Sequence, residues 1–259
     1  MKLGGFGLIE HYESISAAGY DYAELDMPEI EALSNDAFAQ FKDKTASVGL
    51  PILTGARILP IAVPTFFIDG FKPSKLVPYL KHSSKRAAEL GIKKVILGNG
   101  KARMLPNPAS IKNEAVFLEL LRMMSEISGE NDQEMILEPL GPKYSNYINT
   151  LEEAVEIVNR VNMKNLYIMA DLRHMLWSKE SLDDLSSFVN YVHHVHVDYP
   201  LSFPERGYPC ASDDYDYSKF VNELIKSGYN DTLTIEADFP KDWKIARQGA
   251  MEVLQKLFK

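Results

Sequence analysis

The feature that most constrains the fold is an alternation, repeated eight times, of short β-type runs with longer runs of helical periodicity. The strand candidates are Lys2–Gly7, Asp21–Leu25, Ile52–Leu59, Lys94–Gly98, Glu134–Leu140, Leu166–Asp171, Val192–Asp198 and Thr232–Ala237. The helix candidates are Ile9–Ala18, Asn35–Val48, Ser74–Leu90, Ser110–Ser128, Thr150–Val161, Leu182–Asn190, Tyr217–Lys226 and Asp242–Lys259. Because strands that alternate with helices form parallel sheets, these units predict an α/β fold, a single (β/α)8 TIM barrel domain over residues 1–259.

The main alternative is an open, doubly wound sheet, which usually has fewer strands. Sheets of that kind that bind nucleotides carry a glycine fingerprint after an early strand. Here the glycines at Gly98 and Gly100 open neither a G-x-G-x-x-G motif nor a P-loop. No linker rich in glycine and serine divides the chain. One barrel domain is therefore the favoured prediction.

Charge and cysteine content limit the partners. The formal net charge of −8 disfavours nucleic acid or an anionic membrane as a partner, because both attract basic surfaces. Cys210 is the only cysteine, which excludes an internal disulfide and a cysteine-based zinc site. The apolar runs fall short of the ~20 residues that a transmembrane helix needs. The opening residues, MKLGGFGLIEHYE, lack the apolar core of a signal peptide, so we expect a cytoplasmic protein.

Four successive strands late in the chain each end near a residue that could bind a metal ion. These residues are Glu138 after EMIL, Asp171 at the end of LYIMAD, His196 in VHHVHVD and Glu236 at the end of TLTIE. Side chains alternate between the two faces of a strand, and in these strands the neighbouring apolar residues fall on the other face. In a barrel, chemistry takes place at the carboxyl ends of the strands. The four side chains are therefore expected to point into one mouth of the barrel.

Three carboxylates in one mouth need a compensating charge. Two like charges ~4 Å apart repel by about 4 kcal/mol at an effective dielectric constant of about 20. Either some of the acids take up protons or a cation lies among them. One divalent metal ion, bound by Glu138, Asp171, His196 and Glu236, would remove the repulsion. Oxygen ligands with one imidazole favour Mn2+, Mg2+ or Co2+, and Zn2+ is a less typical choice.

Each of these residues also has a plain structural interpretation. Glu138 could be a solvated loop acid, and Asp171 could cap the turn that follows it. His196 could be a hydrogen-bonded histidine inside the barrel, and Glu236 an acid on its rim. One shared site explains all four positions more economically than four separate coincidences.

Longer pieces of the sequence resemble a known family. They are ILGNGKARMLP, ILEPLGPKYSNYINT, YIMADLRHM, VHHVHVDYPLSFPERGYP and LTIEA, in this order along the chain. Together they give the pattern E-P-L, then D-x-x-H, then H-x-H, and a last strand that ends in glutamate. This combination resembles the xylose isomerase-like superfamily of TIM barrels, and specifically its sugar isomerase and epimerase branch.

The resemblance implies an enzyme that uses a divalent metal ion and acts on a small carbohydrate or sugar phosphate. Carried over by residue, Glu138, Asp171, His196 and Glu236 match the metal ligands of the family. Glu138 and Glu236 lie on different strands and could address opposite faces of the substrate. Our hypothesis is that these two are catalytic and transfer a proton through an enediolate intermediate. The resemblance leaves a homo-oligomer open.

Three further residues are candidates for substrate binding. His174 of D-x-x-H matches a substrate-binding position, and Arg206 matches an arginine that contacts the substrate. Arg206 could equally be an ordinary arginine of a surface loop. Arg103, after the fourth strand, could bind a phosphate or carboxylate, although a solvated basic loop is the favoured interpretation. One position departs from the family pattern. Tyr144 stands where many epimerases of this branch have a glutamate, so the identity of the sugar stays open.

Other functions remain as alternatives. A metal-dependent lyase resembling inosose dehydratase would use similar ligands to eliminate water, and the mass of the product would reveal it. An apurinic endonuclease of the same superfamily clusters three metals and binds DNA, which six histidines and a net charge of −8 disfavour. A non-catalytic sugar-binding barrel would need no metal.

Overall fold

Eight parallel strands close into one barrel in the computed structural model of the chain, which describes residues 1–258. The strands are β1 (Lys2–Gly7), β2 (Tyr22–Asp26), β3 (Ile52–Ala56), β4 (Lys94–Leu97), β5 (Glu134–Leu137), β6 (Leu166–Asp171), β7 (Val192–Val197) and β8 (Thr232–Ile235). Each strand pairs with the next one in sequence, and β8 closes the barrel on β1. The predicted (β/α)8 TIM barrel is confirmed.

Helices follow the strands and cover the outside of the barrel. The α-helices are α1 (Tyr12–Ala17), α2 (Met27–Ala32), α3 (Asn35–Val48), α4 (Val77–Glu89), α5 (Gly100–Arg103), α6 (Glu114–Gly129), α7 (Leu151–Val161), α8 (Leu172–Trp177), α9 (Leu185–Phe188), α10 (Ser218–Lys226) and α11 (Trp243–Leu257). Short 3-10 segments lie at Ile9–His11, Pro73–Leu76, Pro108–Asn113 and Leu182–Asp184. Among residues 1–258, no helix has the length and apolar character that crossing a membrane requires.

Some predicted boundaries were wrong by a few residues. Strand β3 ends at Ala56, because Arg57 has a φ of 53°, a left-handed conformation that a strand cannot accommodate. Strand β5 ends at Leu137, shortly before Pro139, which has no N–H for the sheet. The last predicted helix runs to Lys259, which lies outside the described residues.

Three short helices, α2, α5 and α8, were not predicted. The side chain of Asp26 caps α2 by accepting a hydrogen bond from the Glu29 N–H at 3.3 Å. Asp171 caps α8 in the same way, with the His174 N–H at 3.1 Å. Helices of fewer than two turns contain too few residues for a periodic apolar pattern. Asp171 is therefore both the last residue of β6 and the N-terminal cap of α8.

The two faces of the strands belong to separate layers. The outward-facing apolar residues pack against the helices in one large buried core. The inward-facing residues Ile96, Ile136 and Met169 form a second apolar cluster inside the barrel, next to Tyr167. The inward positions that follow on β5 and β6 are acidic, so along these two strands the barrel interior changes from apolar to charged towards their carboxyl ends.

Candidate functional site

The four predicted metal ligands converge at the carboxyl end of the barrel. Glu138 follows β5 directly, Asp171 ends β6, His196 lies in β7 and Glu236 follows β8 directly. One possible ligand atom from each of the four lies within 4.8 Å of the others. Parallel pairing of β5 with β6, β6 with β7 and β7 with β8 produces this convergence, because neighbouring strands end side by side.

His196 presents a free ring nitrogen to the three acids. Its Nδ1 lies 3.1 Å from Glu236 Oε2. The same nitrogen lies 3.8 Å from Asp171 Oδ2 and 3.9 Å from Glu138 Oε1. It is buried and has no hydrogen-bond partner among residues 1–258. Since a buried polar atom without a partner is costly, this donor set of three carboxylates and one free imidazole nitrogen fits a divalent metal ion.

Burial and neighbouring charges set the pKa values of the acids. Burial, together with the charge of Glu236, raises the pKa of Glu138 to about 8. Burial alone would raise the pKa of Asp171, but the charges of His174 and Arg206 hold the pKa of that carboxyl well below its usual range. At Glu236 the effect of burial is outweighed mainly by Arg206, and the pKa is lowered. Glu138 is thus the acid whose ionised form would gain most from a bound cation.

Arg206 reaches over these acids from the loop that follows β7. Its Nη1 lies 2.5 Å from Glu236 Oε2, and its Nη2 lies 2.6 Å from Asp171 Oδ2. Its Nε lies 2.8 Å from Oδ2 of the buried Asp198. The guanidinium therefore neutralises part of the negative charge at the mouth of the barrel, where the sequence predicts contact with the substrate.

His174 lies against the same acids. Its Nε2 is 3.6 Å from Glu138 Oε1 and 3.9 Å from Asp171 Oδ2. Burial lowers the pKa of His174 to about 4, so its ring is neutral at neutral pH. Its buried Nδ1 has no hydrogen-bond partner in the described part of the chain. Tyr144 packs edge-on against this ring, with centroids 5.0 Å apart.

Arg103 has different surroundings from the other candidates. Its side chain is completely buried at the end of α5, so the interpretation as a solvated basic loop was wrong. That segment is tied to the loop after β3, because the Phe66 N–H donates to the Ala102 carbonyl at 2.8 Å. None of its three guanidinium nitrogens has a hydrogen-bond partner within residues 1–258. Burial lowers the pKa of Arg103 to about 10, against the opposing effect of the Glu138 charge, so the guanidinium stays charged at neutral pH.

Glu24 is a residue of the site that the sequence reasoning missed. Its carboxylate lies below His196, with Oε1 2.9 Å from His196 Nε2. Its Oε2 lies 2.9 Å from Nε2 of His194, which precedes His196 by two residues on β7. Glu24 has no exposed surface. The available signal was the alternation in YAELD, which places Tyr22, Glu24 and Asp26 on one face of β2.

Arg173, which the sequence reasoning also passed over, holds the loop that carries Arg206. The completely buried guanidinium donates from Nε to Asp198 Oδ2 at 2.6 Å. Its Nη1 donates to the Ser202 carbonyl at 2.5 Å, and its Nη2 donates to the Tyr199 carbonyl at 3.0 Å. Because Asp198 also binds Arg206, the two arginines share one carboxylate.

The fold and these residues can be compared with known proteins. Residues 12–257 match the family model described as xylose isomerase-like TIM barrel. The chain belongs to this family. The match covers more than half of the chain and includes every candidate residue of the site, so the resemblance drawn from the sequence motifs is confirmed.

Within the xylose isomerase-like TIM barrel family, the chain is similar to several sugar enzymes. It is 24% identical to the inosose isomerase of Bacillus subtilis over 251 residues, which is 92% of this chain and 86% of that protein. The 3-keto-D-glucoside 4-epimerase of E. coli superposes with a TM-score of 0.81 at 19% identity and 99% coverage of both chains. The D-allulose 3-epimerase of Methylomonas sp. superposes with a TM-score of 0.80 at 16% identity, covering 99% of this chain and 98% of that one.

Proposed function

We propose that this chain is a divalent-metal-dependent isomerase or epimerase that acts on a small carbohydrate or sugar phosphate through an enediolate intermediate. The observation that carries the proposal is the convergence of Glu138, Asp171 and Glu236 on the unpartnered Nδ1 of His196. These four residues would hold one Mn2+, Mg2+ or Co2+ ion, or less typically Zn2+. Such an ion, when bound, supplies the positive charge that stabilises a developing enediolate.

We assign the proton transfer to two carboxylates of the site. Glu138 follows β5 and Glu236 follows β8, three strands further around the barrel. They therefore approach a substrate between them from different sides. One would remove the proton next to the carbonyl carbon and the other would return it. Return to the same carbon from the other face gives epimerisation, and return to the adjacent carbon gives aldose–ketose isomerisation.

Two cationic or polar side chains would bind the hydroxyl groups of the sugar. His174 is neutral and keeps a ring nitrogen without a partner, so it can exchange a hydrogen bond with a hydroxyl group. Arg206 is partly exposed at the mouth and has nitrogens next to Asp171 and Glu236. A substrate oxygen that enters beside these acids meets its guanidinium.

Arg103 would serve a substrate that carries an anionic group. None of its guanidinium nitrogens donates a hydrogen bond within residues 1–258, so all of them remain available to a phosphate or carboxylate. Because the side chain has no exposed surface, such a group could reach it only from inside the site or after movement of α5. An uncharged sugar needs no such movement, so it fits the described structure more directly.

The relatives favour an isomerase or epimerase over the alternatives. The three similar proteins described above are named as an isomerase and two epimerases, and none is named as a lyase. A non-catalytic sugar-binding barrel would not require three carboxylates and a free imidazole nitrogen within 4.8 Å of one another. No observation on the structure favours elimination of water.

The proposal is tested by hydrogen exchange with the solvent. The protein is incubated with Mn2+ and a panel of ketoses and sugar phosphates in deuterated buffer, and the sugars are followed by NMR and mass spectrometry. We expect one carbon-bound deuterium in a converted sugar, and loss of this incorporation in both Glu138→Gln and Glu236→Gln. Glu134→Gln, at the start of the strand that Glu138 follows but paired with His193, is the control and should retain the activity.

Two results would contradict the proposal. Deuterium incorporation that persists in both glutamine variants would remove Glu138 and Glu236 from the proton transfer. A product that is lighter than its substrate by one water would instead support the lyase.

A further inference from the structure

The two ring nitrogens of His196 face different partners. Nδ1 faces the acids of the site, with Glu236 Oε2 3.1 Å away and no hydrogen-bond partner. Nε2 faces the opposite way, into the barrel, and lies 2.9 Å from Glu24 Oε1. The imidazole therefore bridges the proposed metal site and a carboxylate beneath it.

We propose that Glu24 is a positioning residue that fixes how His196 binds the cation. Its carboxylate accepts a hydrogen bond from Nε2–H of His196, which leaves the lone pair of Nδ1 free for the metal. A carboxylate can only accept at that position, so the opposite arrangement, with the proton on Nδ1, would leave Nε2 without a donor for Glu24. This inference rests on the proposed function, because it assigns a role in the same metal site.

Glu24 is itself held in place by hydroxyl groups. Thr54 on β3 donates to Glu24 Oε2 at 2.7 Å, and Thr234 on β8 donates to the same oxygen at 2.9 Å. The hydroxyl group of Tyr22 is 2.7 Å from that of Thr234 and extends the network. All of these side chains are buried. The carboxylate below His196 therefore has one orientation, which is the property that a positioning residue needs.

Glu24, His194 and His196 could also be read as a second metal site, because their ligand atoms lie close together. Two observations favour a hydrogen-bonded network instead. Glu24 Oε2 already accepts from two threonine hydroxyls. His194 Nδ1 lies 2.8 Å from the hydroxyl group of Thr232, so this ring takes part in the same network through its other nitrogen. We therefore infer one metal ion, with Glu24 behind its histidine ligand.

The first experiment measures Mn2+ binding to the full chain by isothermal titration calorimetry, with no sugar present. Glu24→Gln should bind Mn2+ about 10–100-fold more weakly than wild type, because a neutral amide oxygen accepts the Nε2–H of His196 more weakly than a carboxylate does. Glu134→Gln is the matched control. It alters the carboxylate that lies 3.0 Å from His193 on the same strand as His196, and its Mn2+ affinity should be unchanged.

Thr54→Val is a milder second variant. It keeps the Glu24 carboxylate but removes one of the hydroxyl donors to Oε2, so a smaller loss of Mn2+ affinity is expected. Wild-type Mn2+ affinity in Glu24→Gln would overturn the proposal. A stoichiometry of two ions per wild-type chain would also overturn it, in favour of the second metal site.

The second experiment needs no variant of Glu24 and so decides the question even if Glu24→Gln fails to fold. Long-range 1H–15N spectra are recorded on the wild-type chain loaded with diamagnetic Zn2+, with His196 assigned by its absence in His196→Asn. We expect a proton on Nε2 and none on Nδ1. A proton on Nδ1, or coordination through Nε2, would overturn the proposal.

These readouts separate the inference from the proposed function. If wild type binds Mn2+ and Glu24→Gln binds it poorly, the role of Glu24 stands even when no sugar exchanges deuterium, and only the proposed reaction fails. If wild type exchanges deuterium and Glu24→Gln keeps both its Mn2+ affinity and its exchange rate, the reaction stands and the role of Glu24 fails.

Discussion

Nη2 of Arg206 and Oδ2 of Asp171 lie 2.6 Å apart, so a loop cation directly contacts a strand-end acid. The side chain of Arg206 is 14% exposed, whereas that of Asp171 has no exposed surface. The arginine thus lies between the solvent and the buried acids. A guanidinium that is bound to two proposed metal ligands is expected to oppose metal binding and to favour binding of a polar substrate.

We expect Arg206→Ala to change these two affinities in opposite directions. Removal of a positive charge next to Asp171 and Glu236 should strengthen Mn2+ binding by about tenfold, since a nearby like charge costs at least 1 to 2 kcal/mol at an effective dielectric constant of about 20. The KM for the sugar should rise. Calorimetry with Mn2+ and steady-state kinetics measure the two effects. The control is Arg122→Ala, which alters an exposed arginine on α6 and should leave Mn2+ binding unchanged. Weaker Mn2+ binding in Arg206→Ala than in wild type would contradict this prediction.

Removal of the metal should lower the thermal stability of the protein. A ligand at about one hundred times its Kd stabilises the folded state by about 2.7 kcal/mol. For a chain of this size that corresponds to a fall in Tm of about 5 to 10 °C when the metal is chelated. Calorimetric scans with and without EDTA measure the difference. In Asp171→Asn the difference should shrink strongly, and an equal effect of EDTA on this variant and on wild type would argue against binding at Asp171.

Arg173→Met should destabilise the protein and loosen the loop that carries Arg206. The substitution removes the donors to Asp198, Ser202 and Tyr199 and leaves a buried carboxylate short of a partner. Losing one partner of a buried ion pair costs about 3 to 5 kcal/mol of unfolding free energy.

Urea denaturation gives that free energy, and hydrogen exchange of residues 199–206 reports on the loop. Lys164→Met, at an exposed position after α7, serves as the control and should stay within about 0.5 kcal/mol of wild type. Unchanged hydrogen exchange in the loop of Arg173→Met would show that Arg173 does not hold it.

Glu180 should make the protein less stable as the pH rises. Burial raises the pKa of its carboxyl from 4.5 to about 7, although Oε1 accepts a hydrogen bond from the Leu151 N–H at 2.7 Å. Because the pKa of this carboxyl is higher in the folded state than in the unfolded state, Glu180 contributes to stability at a pH below its unfolded-state pKa. This contribution is lost as the pH rises through about 7. Glu180→Gln cannot titrate, so its unfolding free energy should fall less than that of wild type between about pH 5 and about pH 8. An identical pH dependence of urea denaturation in the two proteins would refute this.

The barrel and the four converging strand ends could be predicted because their signals are local. Alternation of apolar and polar residues marks each strand and sets which face a side chain takes, as for His196 and Asp171. Parallel connectivity then brings successive strand ends together without any knowledge of contacts. The part of the site built by β5 to β8 was therefore accessible from the sequence.

The contact between Glu24 and His196 was not accessible in the same way. The two residues are 172 positions apart, and only the closure of the barrel brings β2 within reach of β7. The position of Arg206 depends on an irregular loop that is held by the buried Arg173, and no periodic pattern specifies such a loop. The complete burial of Arg103 follows from the packing of α5, a helix of only four residues.

The most direct test of the account is an anomalous difference map from crystals of the wild-type protein grown with MnCl2. We expect a single strong peak per chain, bound by oxygens of Glu138, Asp171 and Glu236 and by Nδ1 of His196, with bond lengths of about 2.0 to 2.4 Å. Nε2 of His196 should remain in contact with Glu24. A peak at another place, or no peak while Mn2+ is present in excess, would contradict the claim that these strand ends bind one catalytic cation.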